Sequence, residues 1–379
     1  MPINKNYILW PLISAVIFIG AFLIAERKIV KLDFRERESV AEVKKTITLP
    51  ETVRAIYLTS TSAANSKKMD SIIGLADRSG LNAVVIDIKD FSGYVAYDSS
   101  VSQAKEYKTE RIDIKDIDSL VKQLHGHDIY SIARITVFQD PALVRARPDW
   151  SVKNKYTGRP WMDRKGLSWI DPACRECWPY YSAIAKDALD RGFDEINFDY
   201  IRFPSDGDMS ALVFTFWNQE QSRTQVLNDF FRFMRSELGD ARLSVDMFGF
   251  VTTRTEDFGV GQVMEDAFEY FDYISPMVYP SHYPPNFLGF PNPAAKPYEV
   301  IHYTMKSAGE RLKIFQEKTG NKRPHIRPWL QDFDLGADYT QAMVEAEIKA
   351  TQDALGDLYN GFMLWNARNV YHEGVFGKK

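Results

Sequence analysis

The chain is poor in cysteine and histidine and has no surplus of positive charge, and each shortage removes a class of function. It has two cysteines, six histidines and a formal net charge of −4 over 379 residues. Cys174 and Cys177 sit in Pro172-Ala-Cys-Arg-Glu-Cys-Trp178. Such a pair serves as a redox site, half of a zinc site or a small local disulfide. A zinc site needs two more ligands, and the scattered histidines show no ligand spacing. A redox site wants a thioredoxin-like βαβ context, which is missing here. The expectation is therefore a structural or incidental pair, with no metal and no cofactor. The same scarcity weighs against a metal-dependent barrel hydrolase: His282 stands alone, and His325 opens a strand at the wrong end. Without a basic face there is nothing to grip a phosphate backbone, so no nucleic-acid partner is expected.

Long apolar runs are also scarce, with one exception. Tyr7 to Ala25 carries no charge, and about 20 such residues are enough to cross a bilayer as a helix. Leu23-Ile24-Ala25 is a poor cleavage site, so an uncleaved anchor is expected rather than a signal peptide. Arg27, Lys28 and Lys31 on the far side weigh against a simple positive-inside argument for export. The chemistry below nevertheless suits an extracytoplasmic glycan, so the expected body is membrane-anchored in the periplasm or at the cell surface. The domain plan is an anchor or signal segment over 1–28, a charged stalk over 29–49 and the main body over 50–379.

After Pro50, strand-like apolar runs alternate with helix-like amphipathic runs. Strands are expected at 53–59, 81–90, 129–138, 193–204, 242–250, 273–279, 325–333 and 361–366. Helices are expected at 66–79, 178–191, 218–238, 260–270, 298–319 and 339–355. Another, capped by Asp113, carries the stripe Ile114, Ile117, Leu120, Val121 and Leu124. Eight strands alternating with helices predict an α/β chain folded as a (β/α)8 TIM barrel. An open doubly wound sheet would leave eight strands, and loops elaborated on one side, unexplained. After Arg368 only 369–379 remain, so the eighth helix is expected to be short or replaced by the stalk.

Polar residues interrupt these strands near their ends, where a barrel does its chemistry. Asp199 lies near the end of the fourth run, where Asn197, Asp199 and Ile201 would face inward and Phe198 and Tyr200 outward. Its plainest role is a salt bridge to Arg134 or Arg202. Asp246 interrupts the fifth run, on the next strand. Two carboxylates on adjacent strands meet the need of glycoside hydrolysis for a proton donor and a nucleophile or base. Asp199 as nucleophile or base and Asp246 as donor are thus the catalytic candidates. Candidate substrate-binding residues are Asp87, Lys89, Arg134 and Arg202, then Tyr279 and His282 after the sixth strand. Trp329, Gln331 and Asp332 on the seventh strand, and Trp365 and Asn366 on the eighth, complete the set. Aromatics make up 13% of the chain, and Trp329 and Trp365 at strand ends are able to floor a sugar subsite.

Phe193-Asp-Glu-Ile-Asn-Phe-Asp-Tyr-Ile-Arg-Phe-Pro204, Ile326-Arg-Pro-Trp-Leu-Gln-Asp-Phe333 and Gly361-Phe-Met-Leu-Trp-Asn366 resemble an uncharacterised bacterial glycoside hydrolase family with a TIM-barrel domain. Val53-Arg-Ala-Ile-Tyr-Leu-Thr59 and Asp87-Ile-Lys-Asp90 extend the resemblance over roughly Pro50 to Tyr371. It implies a barrel and a polysaccharide or oligosaccharide substrate. A wider likeness is to chitinase-type barrels, whose fourth strand reads DxxDxDxE. Here Asp194, Asn197 and Asp199 fill the first three places, and Ile201 replaces the proton-donating Glu. That departure argues against substrate-assisted chitinase chemistry. It also keeps open a glycan-binding barrel without turnover as the alternative to a glycosidase.

Overall fold

The computed structural model describes residues 47–379. The expected membrane anchor and nearly all of the stalk therefore lie outside the described residues. Among those described, no helix is long and apolar enough to cross a membrane.

The barrel strands are β1 (Val53–Leu58), β2 (Ala83–Lys89), β3 (Tyr130–Thr136), β4 (Glu195–Asp199), β5 (Leu243–Phe248), β6 (Tyr273–Met277), β7 and β8 (Gly361–Trp365). β7 comes in two pieces, His325–Ile326 and Trp329–Gln331. The first pairs with β6 and the second with β8. Pro328 stands in the gap, and a residue without an N–H cannot continue a ladder. Each strand lies parallel to the next, and β8 returns to β1 with Val53 opposite Gly361, so the sheet closes.

Period-two alternation separates the two faces of every strand. Ile56, Leu58, Val84, Ile86, Ile196 and Phe198 point outward into one apolar core shared with the helices. Ala55, Tyr57, Val85, Tyr130, Ile132, Trp329 and Met363 form a second cluster inside the barrel. Ile47 joins this inner cluster, and its N–H donates to Asp194 Oδ1 at 3.4 Å.

The crossover helices are α1 (Ser66–Arg78), α2 (Ile117–Gly126), α3 (Trp178–Asp190), α4 (Arg223–Leu238), α5 (Met264–Tyr270), α6 (Pro297–Thr319) and α7 (Gln341–Leu355). Asn65 caps α1, and Ser222 with Gln225 forms a capping box on α4. Such caps satisfy N–H groups that a helix start otherwise leaves open. The cap of α2 is Asp116 rather than the expected Asp113. Asp113 instead accepts from Ser60 Oγ at 2.8 Å and pairs with Arg111. No eighth crossover helix follows β8 among the described residues. A short turn, Glu373–Phe376, takes its place, and Phe376 stacks on Phe362.

The connection from β3 to α3 buries Trp150, Trp161 and Trp169. Within it, Lys153–Asn154 pairs antiparallel with Leu212–Val213 from the segment after β4. Cys174 and Cys177, just before α3, are free and fully buried. Burial and the neighbouring Cys174 push the Cys177 thiol well above its ordinary value, so it stays protonated and poorly nucleophilic.

Candidate active site

Inward residues near the carboxyl ends of successive strands form a ring. Register sets Asp87 beside Arg134, and Thr136 beside Asp199. Arg134 is the hub. Its Nη1 donates to Asp87 Oδ1 at 2.5 Å, its Nη2 to Asp199 Oδ2, and its Nε faces Asp246 Oδ2 at 3.4 Å. One guanidinium thus holds three carboxylates, all four side chains being at most 6% exposed. The salt bridge weighed from the sequence exists to Arg134; none forms to Arg202 among the described residues.

Each acid is fixed by further donors. Tyr57 OH donates to Asp87 Oδ2 at 2.5 Å. Trp329 Nε1 and Asn197 Nδ2 donate to Asp246 Oδ1 at 2.7 and 2.9 Å. Tyr200 N donates to Asp199 Oδ1 at 2.5 Å. Tyr200 adopts φ 53°, a left-handed conformation uncommon for a bulky residue and frequent at functional sites. The strand ends there, so alternation fails beyond Asp199. Tyr200 turns to line the cavity, and Ile201 is buried in the outer apolar core. The expected directions of Tyr200 and Ile201 are thereby reversed.

Burial pushes the Asp246 carboxyl up to about 8, nearby Asp199 adds to the rise, and Arg134 and the two donors oppose it. Burial also raises Asp87, against the pull of Arg134 and Tyr57. Both shifts follow from the cost of placing an anion away from water. Among the described residues no group of His, Cys, Asp and Glu is arranged to hold a metal ion. The cation among these acids is Arg134.

The ring opens into a cavity of about 720 Å³. Of the candidates, Asp87, Arg134, Asp199, Arg202, Asp246, Tyr279, His282, Trp329 and Trp365 line it. Tyr57 stacks on Trp365 with centroids 3.9 Å apart. Trp329 is only 1% exposed, so its main contact is the hydrogen bond to Asp246 rather than an open sugar platform. Gly249, just after β5, lets the wall close: a Cβ there would lie 2.6 Å from Met277 O and 2.7 Å from Tyr283 OH.

Four candidates lie away from the lining. Lys89 was expected among the substrate-binding residues, but β2 shifts register between it and Asp87, and Lys89 pairs with the outward Ile135. Such a slip turns the side chain over, and Lys89 Nζ meets Asp140 Oδ2 at 2.7 Å in a fully buried pair. Gln331 accepts from Ser281 N at 3.2 Å and donates to Phe333 O at 2.9 Å. Asp332 Oδ1 lies 2.6 Å from His372 Nδ1. Asn366 donates to Asp332 O at 2.5 Å and Val370 O at 2.7 Å. The last three brace the tops of β7 and β8. Asp194 lies at the other end of β4, held by Ser131 N and Oγ, each at 2.8 Å.

Tyr57, Gln139, Lys165, Tyr200 and Phe248 line the cavity without having been singled out. Alternation along β1 carries the signal for Tyr57. Gln139 and Lys165 belong to the long connection, where no periodicity reports direction.

A family model described as "Putative glycosyl hydrolase domain" matches residues 55–371. No curated protein matches the chain. The glycoside hydrolase domain of PgaB (BpsB) from Bordetella bronchiseptica is 14% identical, with a TM-score of 0.59 over 84% of this chain and 95% of that one. TtGalA, an α-galactosidase from Thermus thermophilus in complex with stachyose, is 10% identical, with a TM-score of 0.50 over 86% of this chain and 64% of that one. A hypothetical protein from Ruminiclostridium thermocellum ATCC 27405 is 35% identical over 50% of this chain and 96% of its own, with a TM-score of 0.47. The likenesses to the Bordetella and Thermus proteins establish a shared barrel fold.

Proposed function

Since the chain belongs to this glycosyl hydrolase family, we propose that it cleaves a polysaccharide with Asp246 as proton donor and Asp199 as nucleophile. The observation that carries this reading is the attachment of both acids to one guanidinium, with Asp246 pushed up to about 8 by burial. A buried carboxyl that keeps its proton at neutral pH is suited to the role of general acid. Oδ1 of Asp246 already accepts from Trp329 and Asn197. The proton therefore resides on Oδ2, the oxygen that faces Arg134 Nε at 3.4 Å.

In the first step Asp246 gives that proton to the glycosidic oxygen while an Asp199 oxygen bonds to the anomeric carbon. The carbon–oxygen bond breaks, and the leaving sugar departs as a neutral alcohol. In the second step Asp246, now ionised, takes a proton from water as the water displaces Asp199 and restores both acids. Nε and Nη2 form one edge of the guanidinium, so one oxygen of each acid shares that edge. This favours the close spacing of retaining enzymes, about 5–5.5 Å, over the wider gap that accommodates a water.

The substrate proposed is a cell-envelope or extracellular glycan. The body is proposed to be held at the membrane by Tyr7 to Ala25, on the sequence argument alone. The test is sugar release from a panel of bacterial polysaccharides by the wild type and by Asp199→Asn, with the product anomer followed by NMR. Release with retention that Asp199→Asn abolishes is the expected result. Hydrolysis that survives Asp199→Asn removes that residue from the chemistry. Binding by the wild type with no release on any polymer would leave a glycan-binding scaffold.

A further inference from the structure

We infer that the cavity wall carrying Arg202 is an anion subsite, so that the glycan cleaved at Asp199 and Asp246 bears an acidic sugar; this rests on the hydrolase reading above. Arg202 lies in the segment after β4, is 9% exposed and lines the same cavity as the acids. Its Nη1 donates to Phe203 O at 3.2 Å and Ser205 Oγ at 3.1 Å. Among the described residues, Nε and Nη2 donate to nothing, and no carboxylate stands within ion-pair distance. Arg134 and Arg327, the other deeply buried arginines facing the barrel interior, both have carboxylate partners.

Three rings surround the Arg202 guanidinium instead. Its central carbon lies 4.7 Å from the Trp169 ring, 4.7 Å from Phe248 and 5.3 Å from Tyr200. Aromatic faces partly stabilise a cation and hold its plane, yet they supply no oxygen to its spare N–H groups. Those groups are open to the cavity rather than sealed, so a ligand there can reach them. A planar oxyanion suits them best, because the guanidinium fork matches a carboxylate with two parallel bonds. Burial presses the Arg202 guanidinium below its ordinary value, against the pull of Tyr200, Asp199, Asp206 and Asp163, none of which pairs with it directly.

One neighbour on this wall fits a sugar acid. Lys165 is exposed at the rim with no ion-pair partner among the described residues, and adds a second cation. Gln139 lines the same wall and donates to Asp163 at 2.8 Å, while its Oε1 is buried without a partner.

The test is calorimetric titration of the full chain, held in detergent, with oligogalacturonate, oligoglucuronate, their carboxyl-reduced neutral counterparts and a sulfated neutral oligosaccharide. The expected result is at least tenfold tighter binding of one acidic oligosaccharide than of its neutral counterpart, as charge-assisted hydrogen bonds would give. Arg202→Met should erase that preference while neutral binding persists. Lys165→Ala, at an exposed position, should reduce the preference about threefold, the effect of a rim charge. The sulfated arm distinguishes sulfate from carboxylate as the anion. Equal binding of acidic and neutral forms, no binding of any anionic sugar, or a preference that survives Arg202→Met would overturn the subsite. A uronide that binds with preference but is never cleaved would overturn the hydrolase reading and leave the subsite standing. A neutral glycan cleaved without any anionic preference would do the reverse.

Discussion

Arg327 and Arg134 both sit inside the barrel, one toward each end, and their surroundings differ in charge and access. Toward the amino end, Arg327 and Glu195 pair one to one, and neither is exposed. Tyr130 OH adds a hydrogen bond to Glu195 at 3.2 Å, and the Tyr273 ring lies 4.0 Å from the guanidinium carbon of Arg327. Toward the carboxyl end, Arg134 meets three carboxylates at the floor of an open cavity. A matched, sealed pair has no net charge to offer and no route for a ligand. An unmatched cluster holds more acid than its cation balances, so burial keeps a proton on one carboxyl. That surplus, open to solvent, marks the chemical end of the barrel.

The largest test of this contrast is to remove one acid from each end. Asp246→Asn and Asp199→Asn should each lower kcat by about 10⁴-fold, as loss of a catalytic group does, while the fold persists. Glu195→Gln should leave turnover per folded molecule within about twofold. Its cost should appear in stability, about 3–5 kcal/mol, because it strands the buried Arg327 charge. Adding Arg327→Met should recover much of that loss. Turnover per folded molecule and the urea midpoint separate the two effects. If Glu195→Gln abolishes turnover in folded protein, the two ends are not divided as argued.

The next effect is in pH. Asp246 is raised to about 8 in the folded chain, from an ordinary value near 3.8. It is protonated below that value and ionises above it, so kcat/KM should fall along a basic limb near pH 8. Stability should move the same way. A raised folded value means that the native state binds the extra proton, so the contribution is full below pH 4 and is lost as pH rises through 8. Asp246→Asn should abolish this part of the pH dependence of stability. A stability profile between pH 5 and 9 that is identical in wild type and Asp246→Asn would contradict the shift.

Much of this cluster was legible in the sequence. Strict alternation along β3 and β5 puts Arg134 and Asp246 inside whatever the neighbours do, and β4 obeys the same rule as far as Asp199. Legibility ends where the backbone breaks period. The register shift after Asp87 turns Lys89 out to Asp140, and the left-handed Tyr200 reverses the directions expected beyond Asp199. Neither leaves a glycine or proline at the break to announce it. Caps were ambiguous for a related reason: Asp113 and Asp116 both suit the start of α2, and Ser60, far away in sequence, claims Asp113. Gln139 and Lys165 reach the cavity through a long connection whose course depends on buried tryptophans meeting partners that no local pattern names.

The smallest effect probes how the carboxyl end holds its proton. Trp329 Nε1 donates to Asp246 Oδ1 at 2.7 Å. A donor favours the ionised acid over the neutral one, and here it opposes the rise caused by burial. Trp329→Phe keeps a ring against Tyr57 and Trp365 and removes only that donor. The Asp246 value should then climb by about one unit, since a hydrogen bond to a charged group contributes ~1.5 kcal/mol and one unit is ~1.4 kcal/mol. The basic limb should move up with it. At neutral pH turnover should fall severalfold, because a weaker acid protonates the leaving oxygen less readily. No comparable substitution at the amino end should move the limb: Tyr130→Phe removes the donor to Glu195 and should change stability alone. A limb that moves with Tyr130→Phe and stays fixed with Trp329→Phe would assign the titrating acid to the wrong end of the barrel.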